Sequence, residues 1–105
     1  MVGIDLVYLP EFQKQLEIGG DHFLTRTFTL KELVNRQPEH LAGLWAAKEA
    51  VMKAAALKPG YWKEIVIEIQ PNGSRLARLP SGMTLEVSIS HHGDYAIAVA
   101  FGGKR

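Results

Sequence analysis

The period of the apolar positions changes twice along the 105-residue chain. Residues 2–9 are apolar apart from Gly3, Asp5 and Tyr8, and Pro10 follows, which reads as a mostly buried strand carrying one carboxylate. Pro10 suits the first turn of a helix that Glu11, Phe12, Gln13, Lys14, Gln15 and Leu16 continue to a stop at Gly19-Gly20. Residues 21–28 then read as a connector. Thr29-Leu30-Lys31-Glu32 has the spacing of a capping box, with a short helix to about Arg36. From Glu39 to about Leu57, after Pro38, the chain is strongly helical. Leu41, Leu44, Trp45, Val51, Met52 and Ala55 fall on i, i+3, i+4, i+7 spacing, and Lys58-Pro59-Gly60 closes the run. This is the long central helix.

After it the period becomes two. Ile65, Ile67 and Ile69 alternate with Val66 and Glu68, and Pro71-Asn72-Gly73 turns into a run over residues 75–79. Leu85, Val87 and Ile89 form a second alternating run, which meets Tyr95–Phe101 across a hairpin at His91-His92-Gly93-Asp94. Residues 102–105 are expected to fray. With no repeat, linker or low-complexity tract, residues 1–105 read as a single domain. The expected class is α+β: a mostly antiparallel sheet packed on one face by a long central helix and short helices.

Composition narrows the chemistry. Twelve Lys and Arg against 11 Asp and Glu leave a formal charge of +1, which argues against nucleic acid or an anionic membrane as generic partners. There is no cysteine, which removes disulfides, thiolate nucleophiles and Cys zinc sites. No apolar stretch approaches the roughly 20 residues of a membrane span, and the N-terminus has no basic and apolar leader, so a cytoplasmic protein is expected. No Walker loop or GxGxxG fingerprint is present.

The candidate chemistry sits in three places. Asp5, in an apolar strand, lies either at a solvated strand edge or, if buried, beside a partner or a cation. Glu49 and Lys53, four apart, share a helix face, which spacing alone reads as an exposed ion pair. Lys48 falls on the apolar stripe, so it either snorkels past the core edge or reaches an anion. If Asp5 and Glu49 converge, two hard oxygen ligands suit Mg²⁺, which takes one or two carboxylates and fills its shell with water and phosphate, with Lys48 and Lys53 facing those phosphates. His91 and His92 lie at the hairpin tip, where solvation is the commoner fate and a phosphate contact the alternative.

In order along the chain, Gly3-Ile4-Asp5-Leu6-Val7, Trp45-Ala46-Ala47-Lys48-Glu49-Ala50, Lys53-Ala54, Ser88-Ile89-Ser90-His91 and Tyr95-Ala96-Ile97-Ala98-Val99 resemble the 4′-phosphopantetheinyl transferase superfamily, in its short holo-acyl-carrier-protein synthase type. Arg26-Thr27-Phe28-Thr29 with Glu32 is similar to the segment between the first two motifs. The resemblance implies transfer of 4′-phosphopantetheine from coenzyme A to a serine of an apo acyl carrier protein, releasing adenosine 3′,5′-bisphosphate. It further implies Mg²⁺ on Asp5 and Glu49, catalysis by Glu49 and Lys53, and contacts of Lys48, Lys53, His91 and Arg26 with coenzyme A. A half-sized chain of this type implies a homotrimer with sites between subunits. A non-catalytic module of the same fold that binds a carrier is the alternative.

Three positions depart from the pattern. Leu44 precedes Trp45 where the family usually has a basic residue that helps grip coenzyme A, with Arg26 or Arg36 as candidates to replace it. Glu11 stands close to where the short type usually offers a basic residue to the carrier. Residues 79–85 are short, as though a helix usual before the last hairpin were missing.

Overall fold

The computed structural model describes residues 1–102. Strand β1 (Val2–Tyr8) leads directly into helix α1 (Leu9–Thr27), a three-residue 3-10 turn follows at Glu32–Val34, and then comes helix α2 (Pro38–Ala55). Strands β2 (Val66–Ile69), β3 (Arg75–Arg78), β4 (Thr84–His92) and β5 (Tyr95–Phe101) complete the chain. The sheet has the order β1-β5-β4-β3-β2, and every neighbouring pair is antiparallel. This is the expected α+β architecture.

Its core lies between the sheet and α2. Val7 of β1, Ala77 of β3, Leu85 and Val87 of β4, and Ala96, Ala98 and Ala100 of β5 face Leu41, Leu44, Ala46, Ala47, Ala50 and Val51 of the helix, all of them buried. Three alanines in a row on the inner face of β5 keep that face shallow, so the helix settles close to the sheet. Gly3 carries the approach furthest. A Cβ there would lie 2.7 Å from Ala54 N and still closer to Ala50 O, so β1 and α2 touch backbone to backbone.

Four local expectations change. The connector at 21–28 is helical through Thr27, because Gly20 interrupts α1 with φ +52 and ψ −140 without ending it. The two halves pack Phe12 and Phe23 edge-on, with ring centroids 6.1 Å apart, and that contact holds the second half against the first. The capping box forms as expected, Thr29 N donating to Glu32 Oε1 at 2.9 Å and Glu32 N to Thr29 Oγ1 at 3.2 Å, but it starts only a single 3-10 turn. His91 and His92 belong to β4, paired with Ala96 and Tyr95, and only Gly93-Asp94 turns the hairpin. Gly93 at φ +55 is the residue that a two-residue turn with a glycine-first signature requires. As the shortness of the segment implies, residues 79–83 form a tight turn closed by Leu79 N donating to Met83 O, with no helix. Gly102 is held by reciprocal bonds to Met1 rather than frayed, while residues 103–105 lie outside the described residues.

Helix α2 covers one face of the sheet only. On the other, Ile4 and Leu6 are 55% and 60% exposed, and Tyr8, Tyr95, Ile97 and Phe101 continue the same apolar surface across β1 and β5.

Gly3→Ala drives a methyl group into the backbone of α2, which cannot yield as a side chain would. We expect a loss of about 2–3 kcal/mol in urea unfolding, at the upper end of overpacking costs, whereas an alanine at Gly73, which has open space around it, perturbs only its own turn.

Candidate active site

Asp5 projects from β1 on the same side as the buried Gly3 and Val7, toward α2, and its side chain is 15% exposed. Lys53, one turn beyond Glu49, reaches back to it, with Nζ 3.0 Å from Asp5 Oδ1 and 3.1 Å from the carbonyl of Ile4. The helical pairing of Glu49 with Lys53 therefore gives way to a strand–helix ion pair. Glu49 instead accepts a hydrogen bond from the indole Nε1 of Trp62, 3.0 Å from Oε2. Asp5, Glu49, Glu11, Gln15 and Trp45 line one open cleft of about 250 Å³.

The second oxygen of each carboxylate, Oδ2 of Asp5 and Oε1 of Glu49, is left for another partner. Among the described residues no group of three or more His, Asp and Glu gathers in metal-binding geometry. Two hard carboxylates open to solvent fit Mg²⁺, which keeps several waters and takes ligand phosphate oxygens. They do not fit the closed nitrogen and sulfur cages of structural zinc.

Lys48 takes the second of its two expected fates and reaches an anion, but the anion is the buried Glu32 and not a ligand, which corrects the expected contact with coenzyme A. It is 0% exposed, with its ammonium 2.8 Å from Glu32 Oε1, 3.0 Å from Thr27 O and 2.7 Å from Trp62 O. Three donors meet three oxygens, so no donor is left for a ligand. Burial pulls its pKa below the ordinary lysine value, and the Glu32 charge and hydrogen bond work against that shift. Glu32 is buried too, and its other oxygen accepts the Ile67 backbone N–H at 3.0 Å. One carboxylate thus ties the 3-10 turn, α2 and β2 together.

Glu32 reads in the sequence as a cap and as part of a segment similar to the family's, with no sign of burial, and Trp62 gives no periodic signal, because it lies in the irregular segment between α2 and β2. Yet Trp62 holds both members of the Lys48-Glu49 pair, Lys48 through its carbonyl and Glu49 through its indole. Its ring stacks on Trp45 with centroids 5.4 Å apart. These two tryptophans, with Gln15, Phe23 and Arg26, line a groove of about 440 Å³ that adjoins the carboxylate cleft through Gln15 and Trp45. Arg26 stands 6.0 Å over the Phe23 ring on its wall.

His91 lies apart from the carboxylates. Its Nε2 is 3.0 Å from Glu39 O in the first turn of α2, and its ring lies over Gly43, where a Cβ would come within 3.1 Å of it. Asp5, Glu49, Lys53 and Arg26 are therefore brought to neighbouring clefts of one chain, and His91 to the other end of α2.

Residues 1–100 match the profile of the 4′-phosphopantetheinyl transferase superfamily. A holo-[acyl-carrier-protein] synthase of Corynebacterium efficiens is 33% identical, over 93% of this chain and 89% of the relative. One from a Nitratiruptor species is 36% identical, over 95% and 96%. The crystal structure of the Helicobacter pylori holo-[acyl-carrier-protein] synthase in complex with coenzyme A superposes with a TM-score of 0.84 at 30% identity, covering 95% of this chain and 97% of that one.

Lys48→Met strands the buried Glu32 carboxylate, and chemical denaturation is expected to show a loss of about 3–5 kcal/mol. Adding Glu32→Gln removes the orphaned charge and should recover part of that loss. A single variant as stable as the parent would mean that the pair does not hold the fold.

Proposed function

This chain belongs to the 4′-phosphopantetheinyl transferase superfamily, and from that premise we propose how its own residues carry the reaction of a holo-[acyl-carrier-protein] synthase. The observation that carries the reading is the convergence of Asp5 and Glu49, from a strand and a helix 44 positions apart, on one cleft beside Lys53. The donor is coenzyme A and the acceptor an apo acyl carrier protein. The serine hydroxyl oxygen of the carrier attacks the phosphorus that bears pantetheine. The phosphoanhydride bond breaks, the serine proton leaves to a base, and adenosine 3′,5′-bisphosphate departs with the electron pair.

In phosphoryl transfer the protein mainly positions groups and neutralises charge. Asp5 and Glu49 would hold Mg²⁺, which when bound supplies electrostatic neutralisation of the pyrophosphate. Glu49, oriented by the Trp62 indole, is placed to accept the serine proton directly or through water. Lys53, 59% exposed in its side chain, has two of its ammonium donors on Asp5 and the Ile4 carbonyl, which leaves the third for a pyrophosphate oxygen. The groove of Trp45 and Trp62 offers an apolar bed for the pantetheine arm, with Arg26 at its wall.

The rest of the donor needs a second copy. Glu49 and Leu44 are five residues apart on α2, about 140° around the helix, so they look to different sides of it, Leu44 marking the end where the family usually grips coenzyme A. The uncovered apolar face of β1 and β5 is the surface through which copies can assemble, and the homotrimer implied by the motifs would place the nucleotide-binding end of one chain against the carboxylates of the next. Among the described residues no helix is long and apolar enough to cross a membrane. Together with the absence of cysteine, this agrees with a cytoplasmic enzyme.

Intact-mass spectrometry of apo carrier proteins incubated with this protein, coenzyme A and Mg²⁺ should show a phosphopantetheine mass gain that EDTA abolishes. Asp5→Asn and Glu49→Gln should each lower the rate by about a hundredfold or more. Full activity in both would remove them from the site.

Light scattering should give three times the mass of the 11.6 kDa chain. Leu6→Lys, a charge in the exposed apolar face, should dissociate the assembly and abolish transfer together. An active monomer would refute the shared site.

A further inference from the structure

A second cavity with mainly apolar walls lies between the 3-10 turn, α2 and the β2–β3 edge of the sheet. It measures about 380 Å³, with Leu44, Val66, Ile67 and Ile69 among its walls and Lys31, His40 and Arg75 as its basic groups. Arg75 is the anomaly. It pairs in the sheet with Val87, whose side chain is buried under α2, and cross-strand partners share a face, so the guanidinium lies on the helix side of the sheet. It is only half-buried there, so water can solvate it, but a bound anion would stabilise it further. Among the described residues the ion pairs are Lys48–Glu32, Lys53–Asp5 and Arg78–Glu68, so both carboxylates that line the cavity are engaged with other cations and Arg75 is in none of these pairs.

His40 lies close enough to feel the same surplus. Its pKa is lowered by partial burial first and then by the positive charges of Arg75 and His91, with Glu32 opposing. The cavity therefore joins an apolar wall to an uncompensated cationic rim. Its complement is a ligand with a flat or apolar body and a phosphate.

Leu44 forms part of the wall at the position where a basic residue is usual in the family. Neither arginine expected from the sequence can take its place, since Arg26 lines the tryptophan groove and Arg36 donates to its own Leu33 carbonyl at 3.3 Å. We propose that Arg75, across the cavity from Leu44, is the residue that grips the 3′-phosphate of coenzyme A and makes this chain select the phosphorylated donor, with His40 at its side. The assignment rests on the reading of coenzyme A as donor, and the cavity of one copy serves the carboxylates of its neighbour.

The test compares titration calorimetry of coenzyme A and of 3′-dephospho-coenzyme A, each with Mg²⁺, on the assembled protein. The parent should prefer coenzyme A by about tenfold or more, the usual scale of a charge-assisted phosphate contact. Arg75→Ala, or Arg75→Gln if the first fails to fold, should lose that preference by weakening coenzyme A alone, with the dephospho form bound as before. Adding Leu44→Arg to Arg75→Ala should restore the preference. A parent that does not distinguish the two donors overturns the proposal, as does a variant that keeps the parent's preference or weakens both donors equally. A parent that modifies the carrier yet fails in this way sinks the Arg75 assignment alone, whereas one that binds neither donor and modifies no carrier sinks the transferase reading.

Discussion

The backbone contact between β1 and α2 at Gly3 is the constraint on which the rest of the molecule depends. A strand and a helix normally pack with side chains between them, and a carboxylate two residues along the strand would then stand a full side chain away from the helix. Gly3 removes that layer, and the alanines of β5 remove it from the neighbouring strand. Asp5 consequently meets Lys53 by direct hydrogen bond, and Glu49 opens into the same cleft. The site exists because a small-residue seam lets two charged elements come closer than an aliphatic seam would allow.

The second constraint is the rotation of a helix by about 100° per residue. Lys48 and Glu49 are adjacent, yet one is wholly enclosed and the other faces the cleft. Lys48 turns inward to a carboxylate and two carbonyls, and that anchoring fixes the azimuth of Glu49 next to it. Trp62 bonds to both residues, so the enclosed ion pair and the open carboxylate are set by one side chain and its own backbone. A buried ion pair adds little net stability over an apolar replacement, but it specifies which face of α2 looks where. Orientation of Glu49 is the use to which this helix puts it.

These two constraints also explain what was legible in the sequence. The strand periods, the capping box, the long helix and the antiparallel hairpins follow from local patterning and were readable. So was the convergence of Asp5 and Glu49, but only through the ordered motifs, because nothing in the spacing of a strand and a distant helix states that they touch. Lys48 is half legible: its position on the apolar stripe and its reach for an anion are both real, while the identity of that anion, Glu32, is hidden because it is distant in sequence and disguised as a cap. The helix through residues 21–27 was missed because Gly19-Gly20 reads as a stop, and only the packing of Phe23 on Phe12 and Trp45 carries the chain past it. Trp62 had no local signal at all.

A chain of this size offers a ligand as long as coenzyme A few layers to bind against. Its one helix layer covers one face of the sheet and leaves the other apolar, and its polar chemistry is divided between opposite sides of α2: carboxylates and Lys53 on one, Arg75, His40 and His91 toward the other. On the proposed reading each chain would be a half-site with two different edges, and the uncovered face would be the one that a further copy covers. Assembly and catalysis would then share a single requirement, and β1 would serve both, since it carries Asp5 toward the helix and Ile4 and Leu6 away from it on alternate residues of the same strand.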